Sequence, residues 1–387
     1  MIDWNSKNAS ALVALQRGIP IVENPFAELA STCGMSETDL LAFAQSLLDN
    51  GEARRFGAVF DARRLGYRSA LCAIQVPPPD LARVAGIVAA VPGVTHAYER
   101  RSVEVEKLKS REVEELRSRE VERLKSPEME TSQLLDSSTS PFLNFPNLWF
   151  TFAAPAPLFD GALATLRADC APYPIDVLPA LRRFKIDVIF DARTRDRDEE
   201  VEIEKLKNPE VEKLKALSDS STSLFLNSST SQLGLSPPQQ GIIRLLQGAL
   251  PLAPRFFAPL AERLGMSEGA LLGQLREWQG SGVLRRIGLL LRHREAGFKA
   301  NGMCCWDIPE GEVLEAGRRV AGAPEVTHCY ERPRSPRFPF TLYAMIHTPS
   351  WQETCALFER ITRDAALPPG QLLLSFTEFK KTSMRFF

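Results

Sequence analysis

Apolar residues recur at helical spacing over 9–17, with Leu12 and Leu15 on one face, so the pattern predicts a short amphipathic helix there. Pro25 predicts the first turn of a second helix over 25–33, where a missing N–H costs nothing. Gly34 is placed to close it, and Ser36 to cap a third helix over 37–49. Leu40, Leu41, Ala44, Leu47 and Leu48 supply that helix with its buried stripe. After Gly51 the period changes to two over 53–60, which predicts a strand, and 61–65 is expected to turn back and complete a β-wing. The unit reads as a winged helix-turn-helix. Beyond it the order is strand 67–76, helix 80–91, strand 94–101, strand 147–154, helix 159–169 and a strand near 175–180. This βαββαβ order predicts a ferredoxin-like domain.

The pattern then recurs. Helices are expected at 238–248, 254–264 and 268–280, followed by elements at 298–307, 311–321, 326–333, 338–347, 350–364 and 371–378. Gly34-Met35-Ser36-Glu37 matches Gly265-Met266-Ser267-Glu268, and Ala53-Arg54-Arg55 matches Leu284-Arg285-Arg286. The densest polar match is Val94-Thr95-His96-Ala97-Tyr98-Glu99-Arg100 with Val326-Thr327-His328-Cys329-Tyr330-Glu331-Arg332. The expected fold class is therefore α+β, a tandem duplication of winged helix-turn-helix plus ferredoxin-like domain. The expected units are 1–65 and 66–193, a linker over 194–234, then 235–296 and 297–387. Two low-complexity insertions interrupt the repeat, at 102–143 and in the linker. Both are rich in Glu and Lys with Ser/Thr-rich tails and little to bury, so solvated helix with disordered tails is expected.

Composition narrows the class. Apolar residues are 44% and charged residues 25%, as in a globular protein. No basic n-region and no apolar run of membrane length is present, and a cytoplasmic location without membrane contact is expected. The seven cysteines show no Cys-x-x-Cys spacing, which favours reduced structural thiols over a metal or redox site.

Charge bears on the helix-turn-helix. Net charge is −1, so an anionic partner must be met by local clusters. The helix over 37–49 offers Glu37, Asp39 and Asp49 and no Lys or Arg, and the one over 268–280 has Arg276 against two Glu. A recognition helix needs basic or amide side chains, so the residues argue against nucleic acid as a partner. A regulator of the Lrp/AsnC kind, which has this domain order, remains as an alternative to an enzyme.

The repeated strand motif points to chemistry. Residues two apart in a strand share a face, so His96, Tyr98 and Arg100 form one row and His328, Tyr330 and Arg332 another. The same triplet of imidazole, phenol and guanidinium stands in both copies while Ala97 and Cys329 between them differ, which favours a functional over a structural reading. With Asn147–Pro155, the stretch Arg332–Thr348 and the segments around Arg54-Arg55 and at the C-terminus, these motifs resemble the siroheme decarboxylases, in their fused two-subunit form. The resemblance covers both halves outside the insertions. It implies a carboxy-lyase that removes two acetate carboxyls of siroheme without redox change, giving didecarboxysiroheme for d1-type haem or alternative haem biosynthesis. It implies no metal site and no cofactor beyond the substrate's own iron. Expected partners are siroheme, with self-association or other haem-biosynthesis proteins, and a tetrapyrrole sensor without turnover stands as a further alternative. His96 and His328 are expected as acids. Arg100, Arg332, Tyr98 and Tyr330 are expected to bind substrate, with Arg54, Arg55, Arg285 and Arg286 as further carboxylate ligands. Trp149, Phe150, Phe340 and Tyr343 are candidates either to stack on the macrocycle or to fill the sheet core. Lys380, Lys381 and Arg385 are expected to form a solvated basic end.

Overall fold

A computed structural model describes residues 6–103, 145–186, 235–292 and 300–387. The two low-complexity expectations lie outside the described residues. The first half opens with α1 (Ser6–Arg17), α2 (Pro25–Cys33) and α3 (Glu37–Asp49), followed by β1 (Ala53–Phe60). Gly34 ends α2 with φ 65°, a left-handed turn that glycine enters without steric cost. Ser36 caps α3 by accepting from the Asp39 N–H. The second half repeats this as α6 (Pro237–Leu246), α7 (Ala258–Arg263), α8 (Glu268–Gly280) and β7 (Leu284–Leu291). Between them run β2 (Tyr67–Ile74), α4 (Pro78–Ala90), β3 (Val94–Val103), β4 (Leu148–Pro155), α5 (Phe159–Asp169), β5 (Ile175–Pro179) and β6 (Arg182–Ile186). The chain ends with β8 (Ala300–Trp306), α9 (Val313–Gly322), β9 (Val326–Glu331), β10 (Leu342–Thr348), α10 (Trp351–Asp364) and β11 (Gln371–Lys381).

The wing differs from expectation. Residues 61–65 do not fold back onto β1. Instead β1 pairs antiparallel with β7 of the other half, and Gly57 stands opposite its own repeat counterpart Gly288. The pseudo-twofold axis of the duplication passes through this glycine pair. A Cβ on Gly57 would lie 2.5 Å from the Gly248 carbonyl oxygen, and one on Gly288 2.5 Å from that of Leu15, so neither position has room for a side chain. The six helices and this ribbon share one apolar core, with Phe26, Phe56, Phe256 and Leu275 buried together. The two helix-turn-helix units are thus one layer.

The other strands form a single antiparallel sheet in the order β5-β2-β4-β3-β11-β8-β10-β9-β6. Each half contributes a ferredoxin-like quartet, β5-β2-β4-β3 and β11-β8-β10-β9, as expected from the order of elements. The long β11 joins them by pairing with β8 in its own half and with β3 in the other. Residues 175–186 do the same in two pieces: β5 pairs with β2, and β6, absent from the sequence reading, pairs with β9. Only Ala180 and Leu181 separate β5 from β6, so the sheet closes on itself. One face of each quartet packs against its helices. The opposite faces meet in an inner cluster that includes Trp149, Leu178, Met303, Cys305, Phe338, Tyr343 and Leu373. All seven cysteines are free thiols, and Cys304 and Cys305 face opposite sides of the sheet.

Candidate active site

The repeated strand motif lies on β3 and β9, and alternation sorts its residues as the period of two requires. Tyr98 stands opposite Trp149, and Tyr330 opposite Tyr343, both partners belonging to the inner cluster. Ala97 and Cys329 lie in the helix-packed cores on the other face. His96 and Tyr98 have ring centroids 6.2 Å apart, and so have His328 and Tyr330. Arg100 extends over the Tyr98 ring at 5.4 Å, and Arg332 over Tyr330 at 4.8 Å. The two rows are therefore built alike, and each cation sits on a phenol face.

The rows approach one another. Burial pushes His96 down to about 3, with Lys381, Arg54, His328 and Arg100 adding repulsion. His328 is pushed down to about 4 by burial and then by Arg332 and Arg285. Both imidazoles are neutral near pH 7 in the unliganded protein. An anionic ligand entering this cationic surface would raise both values, since opposite charge favours the imidazolium. Burial also lowers Arg100, to about 10.

Of the arginine pairs, one member of each reaches the site. Arg54 lies close enough to Tyr98 and Glu378 to feel their charge, and Arg285 bears on His328 and Tyr330. Their neighbours point away, as adjacent strand residues must. Arg55 donates to the carbonyls of Gly248 at 3.0 Å and Ala58 at 3.3 Å, bracing the ribbon against the helical layer. Arg286 lies among Arg17, Gly18, Glu28 and Gln279 of that layer. Arg55 and Arg286 are thus removed from the site.

The aromatic candidates separate too. Trp149 is 1% exposed, donates from Nε1 to the Pro146 carbonyl, and meets Phe338 edge-on at 4.9 Å. Phe150 is buried on the helix side. Both are core in this structure. Phe340 is half-buried beside Phe338 and Phe145. Tyr343 is buried, and its hydroxyl has no hydrogen-bond partner among the described residues. Arg332 Nε and Arg54 Nε are likewise buried and unpartnered. Such groups cost free energy unless something accepts from them, and carboxylate oxygens of a ligand would do so.

Several residues escaped the sequence reading. Lys381 is not a solvated end: it stands directly opposite His96 across the β11–β3 pair. Lys380 donates to the carbonyls of Ala89 and Val91 at the end of α4. Arg385 is exposed, as expected. Around Tyr330, Asp61 accepts from Arg285 at 2.7 Å and Arg183 at 3.2 Å. These two cations hold its carboxyl below the usual range despite the opposing effect of burial. Asn301 Oδ1 accepts from Arg100 Nη1 at 3.4 Å and Asn301 Nδ2 lies 3.2 Å from His347 Nε2, which brings both residues into the cluster. Among the described residues no group of three or more His, Cys, Asp or Glu could hold a metal ion. Nor is any helix there long and apolar enough to cross a membrane.

Comparison with known proteins agrees with this architecture. Residues 10–54 and 239–285 match the siroheme decarboxylase NirDL-like HTH domain, and residues 64–111 and 295–380 the AsnC-like ligand binding domain. The siroheme decarboxylase of Hydrogenobacter thermophilus is 33% identical over 380 residues, covering 97% of this chain and 93% of that one. The NirL subunit of siroheme decarboxylase from Stutzerimonas stutzeri is 44% identical over 146 residues, which is 37% of this chain and 86% of the subunit. The crystal structure of the siroheme decarboxylase NirDL superposes with a TM-score of 0.62 at 29% identity, covering 98% of this chain and 94% of that one. The co-complex of that enzyme with an iron-uroporphyrin III analogue superposes at 0.61, with 28% identity and the same coverage.

Proposed function

The chain belongs to the siroheme decarboxylase family, and we propose that its paired His-Tyr-Arg rows carry out the decarboxylation of siroheme. The observation that carries this reading is that both rows face the inner side of the closed sheet, where two buried imidazoles, His96 and His328, stand among the cations Arg100, Arg54, Arg332 and Arg285. The substrate loses CO₂ from two acetate side chains and becomes didecarboxysiroheme, an intermediate suited to d1-type haem or alternative haem biosynthesis. In each event the bond between the methylene carbon and the carboxylate breaks. The electron pair stays on the methylene carbon, CO₂ departs, and one proton converts the side chain to methyl. No electron is gained or lost overall, so no cofactor is required beyond the iron that siroheme brings.

The chain's residues divide this work. Arg100, Arg332, Arg54 and Arg285 bind carboxylates, with Lys381 beside His96. Tyr98 and Tyr330 stack under the guanidinium groups and hold them in place. His96 and His328 deliver the protons, their acidity set by the carboxylates that arrive. The apolar inner cluster favours loss of charge from the leaving carboxylate, because a buried anion is costly. The enzyme works in the cytoplasm, by itself as a fused two-subunit chain or in contact with a second copy or neighbouring haem-biosynthesis proteins. The test replaces His96 and His328 by Ala, separately and together, in the full chain. Loss of turnover with an unchanged circular dichroism spectrum and retained siroheme binding supports the proton-donor roles. Turnover at wild-type rates in the double variant would remove them.

A further inference from the structure

The halves place different charges around the same rows. The repeat that matches Arg54 with Arg285 also matches Asp61 with Arg292. Glu378 stands opposite Tyr98 where Arg183 stands opposite Tyr330, and Lys381 stands opposite His96 where Ile186 stands opposite His328. Both strand pairs carry the same irregularity, between Glu378 and Lys380 and between Arg183 and Lys185, so the positions correspond.

Asp61 is held as a carboxylate in a built site. Its Oδ1 accepts from the backbone N–H groups of Arg63 at 3.0 Å and Arg64 at 3.3 Å, which fixes the carboxyl on the turn after β1. Its Oδ2 accepts from Arg285 at 2.7 Å and Arg183 at 3.2 Å. The Asp61 side chain is only 10% exposed, so these ion pairs are poorly screened by water. Both guanidinium groups bear on Tyr330. The second row thus already holds one carboxylate, the protein's own, on a cation that a substrate carboxylate would need. Arg54 in the first row is placed differently. Its Nε is buried without a hydrogen-bond partner, Arg292 is near enough to repel it, and Glu378 acts on it through space rather than by a hydrogen bond. A buried cation without a carboxylate partner gains more from an incoming carboxylate than one that must first release its own.

We propose that Asp61 is a positioning residue that competes with substrate for Arg285 and Arg183, which makes the first row the tighter of the two carboxylate sites. This rests on the reading of both rows as binding siroheme carboxylates. A carboxylate entering the first row meets Arg54, with Lys381 across from His96, and displaces nothing. One entering the second row meets Arg285 only as the Asp61 oxygen leaves it. Arg332 takes no part in this exchange: its Nη1 donates to the Leu178 carbonyl and its Nε is unpartnered.

The test is a double-mutant cycle on the full chain. It is read by the Kd of uroporphyrin III, a macrocycle with eight carboxylates, and by KM and kcat for siroheme. Arg54→Gln should weaken binding about tenfold, and Arg285→Gln less than about threefold. Asp61→Asn keeps an oxygen for the turn and removes the competing charge. It should tighten binding about fivefold, and Arg285→Gln made in that background should then cost about tenfold. An Asp61 that served only the fold would give no tighter binding and no such coupling. Arg292→Asp, at an exposed position, supplies the first row with a competitor. It should weaken binding and bring the cost of Arg54→Gln below about threefold, and it tests the proposal even if Asp61→Asn unfolds the chain. The proposal is overturned if Arg285→Gln costs as much as Arg54→Gln in the wild-type chain, or if Arg292→Asp leaves the cost of Arg54→Gln unchanged. Binding of uroporphyrin III needs no turnover, so a chain that shows these differences and leaves siroheme intact would sink the functional reading alone. A chain that decarboxylates siroheme but loses equally at both arginines would sink the proposal alone.

Discussion

Lys381, the last residue of β11, stands directly across from His96 on β3 and is the foremost charge holding that imidazole neutral. Its position is secured from beyond the strand. Phe386 is buried against Phe60 and Tyr67, and its backbone exchanges two hydrogen bonds with the Gln247 side chain. The C-terminal tail thereby ties the closed sheet to the helical layer at the site.

Replacing Lys381 by Met removes a positive charge while keeping most of the stem. The imidazolium of His96 then becomes less costly, so the His96 pKa rises from about 3 while His328, on which Arg332 and Arg285 bear, stays near its value of about 4. NMR titration of the histidine ring protons checks this. A His96 midpoint unchanged in Lys381→Met would show that Lys381 has no part in holding it down.

Adjacent arginines should behave oppositely. Arg54→Ala takes a cation from the site and should raise KM for siroheme by about tenfold with little loss of stability, one carboxylate contact being worth about 1.5–3 kcal/mol. Arg55→Ala removes the brace to Gly248 and Ala58 and should cost about 1–3 kcal/mol of stability with KM unchanged. Steady-state kinetics and urea unfolding of the two variants separate the effects.

The glycine pair on the pseudo-twofold axis gives a structural prediction. Gly57→Ala or Gly288→Ala brings a Cβ to 2.5 Å from a carbonyl oxygen of the helical layer. Each should destabilise the chain by about 1–3 kcal/mol as the ribbon shifts to make room. Thermal unfolding measures this, and a wild-type midpoint in both variants would contradict the close crossing.

Acid should weaken the fold early. His96, His328 and His347 are held at about 3, about 4 and about 3 in the folded chain, against an ordinary 6.5. The unfolded chain therefore binds more protons below pH 6.5, so stability is fully present above that value and falls as pH drops toward 4. The urea midpoint should already decline between pH 6.5 and 5, above the range in which ordinary carboxylates titrate. A flat midpoint over that interval would contradict neutral buried histidines.

Much of this was legible because it is local. The repeat, the βαββαβ order, the Ser36 cap and the His-Tyr-Arg face all follow from spacing within one segment. What escaped depends on partners distant in sequence. Nothing in Ala53–Phe60 says that its strand partner is β7, so an internal wing was the natural expectation. Arg182–Ile186 is too short and too polar to announce a strand until β9 lies beside it. Lys381 looked like a solvated tail because its neighbour, His96, lies on the other half. The exclusion of Arg55 and Arg286 was available from alternation alone, since adjacent strand residues cannot share the face of Arg54 and Arg285.

The most direct test of the central claim is anaerobic incubation of the purified chain with siroheme, followed by mass spectrometry of the tetrapyrrole and measurement of released CO₂. The account predicts a product lighter by two carboxyl groups and two CO₂ for each siroheme consumed. Recovery of intact siroheme with no CO₂, from a chain shown to be folded and to bind it, would contradict the account.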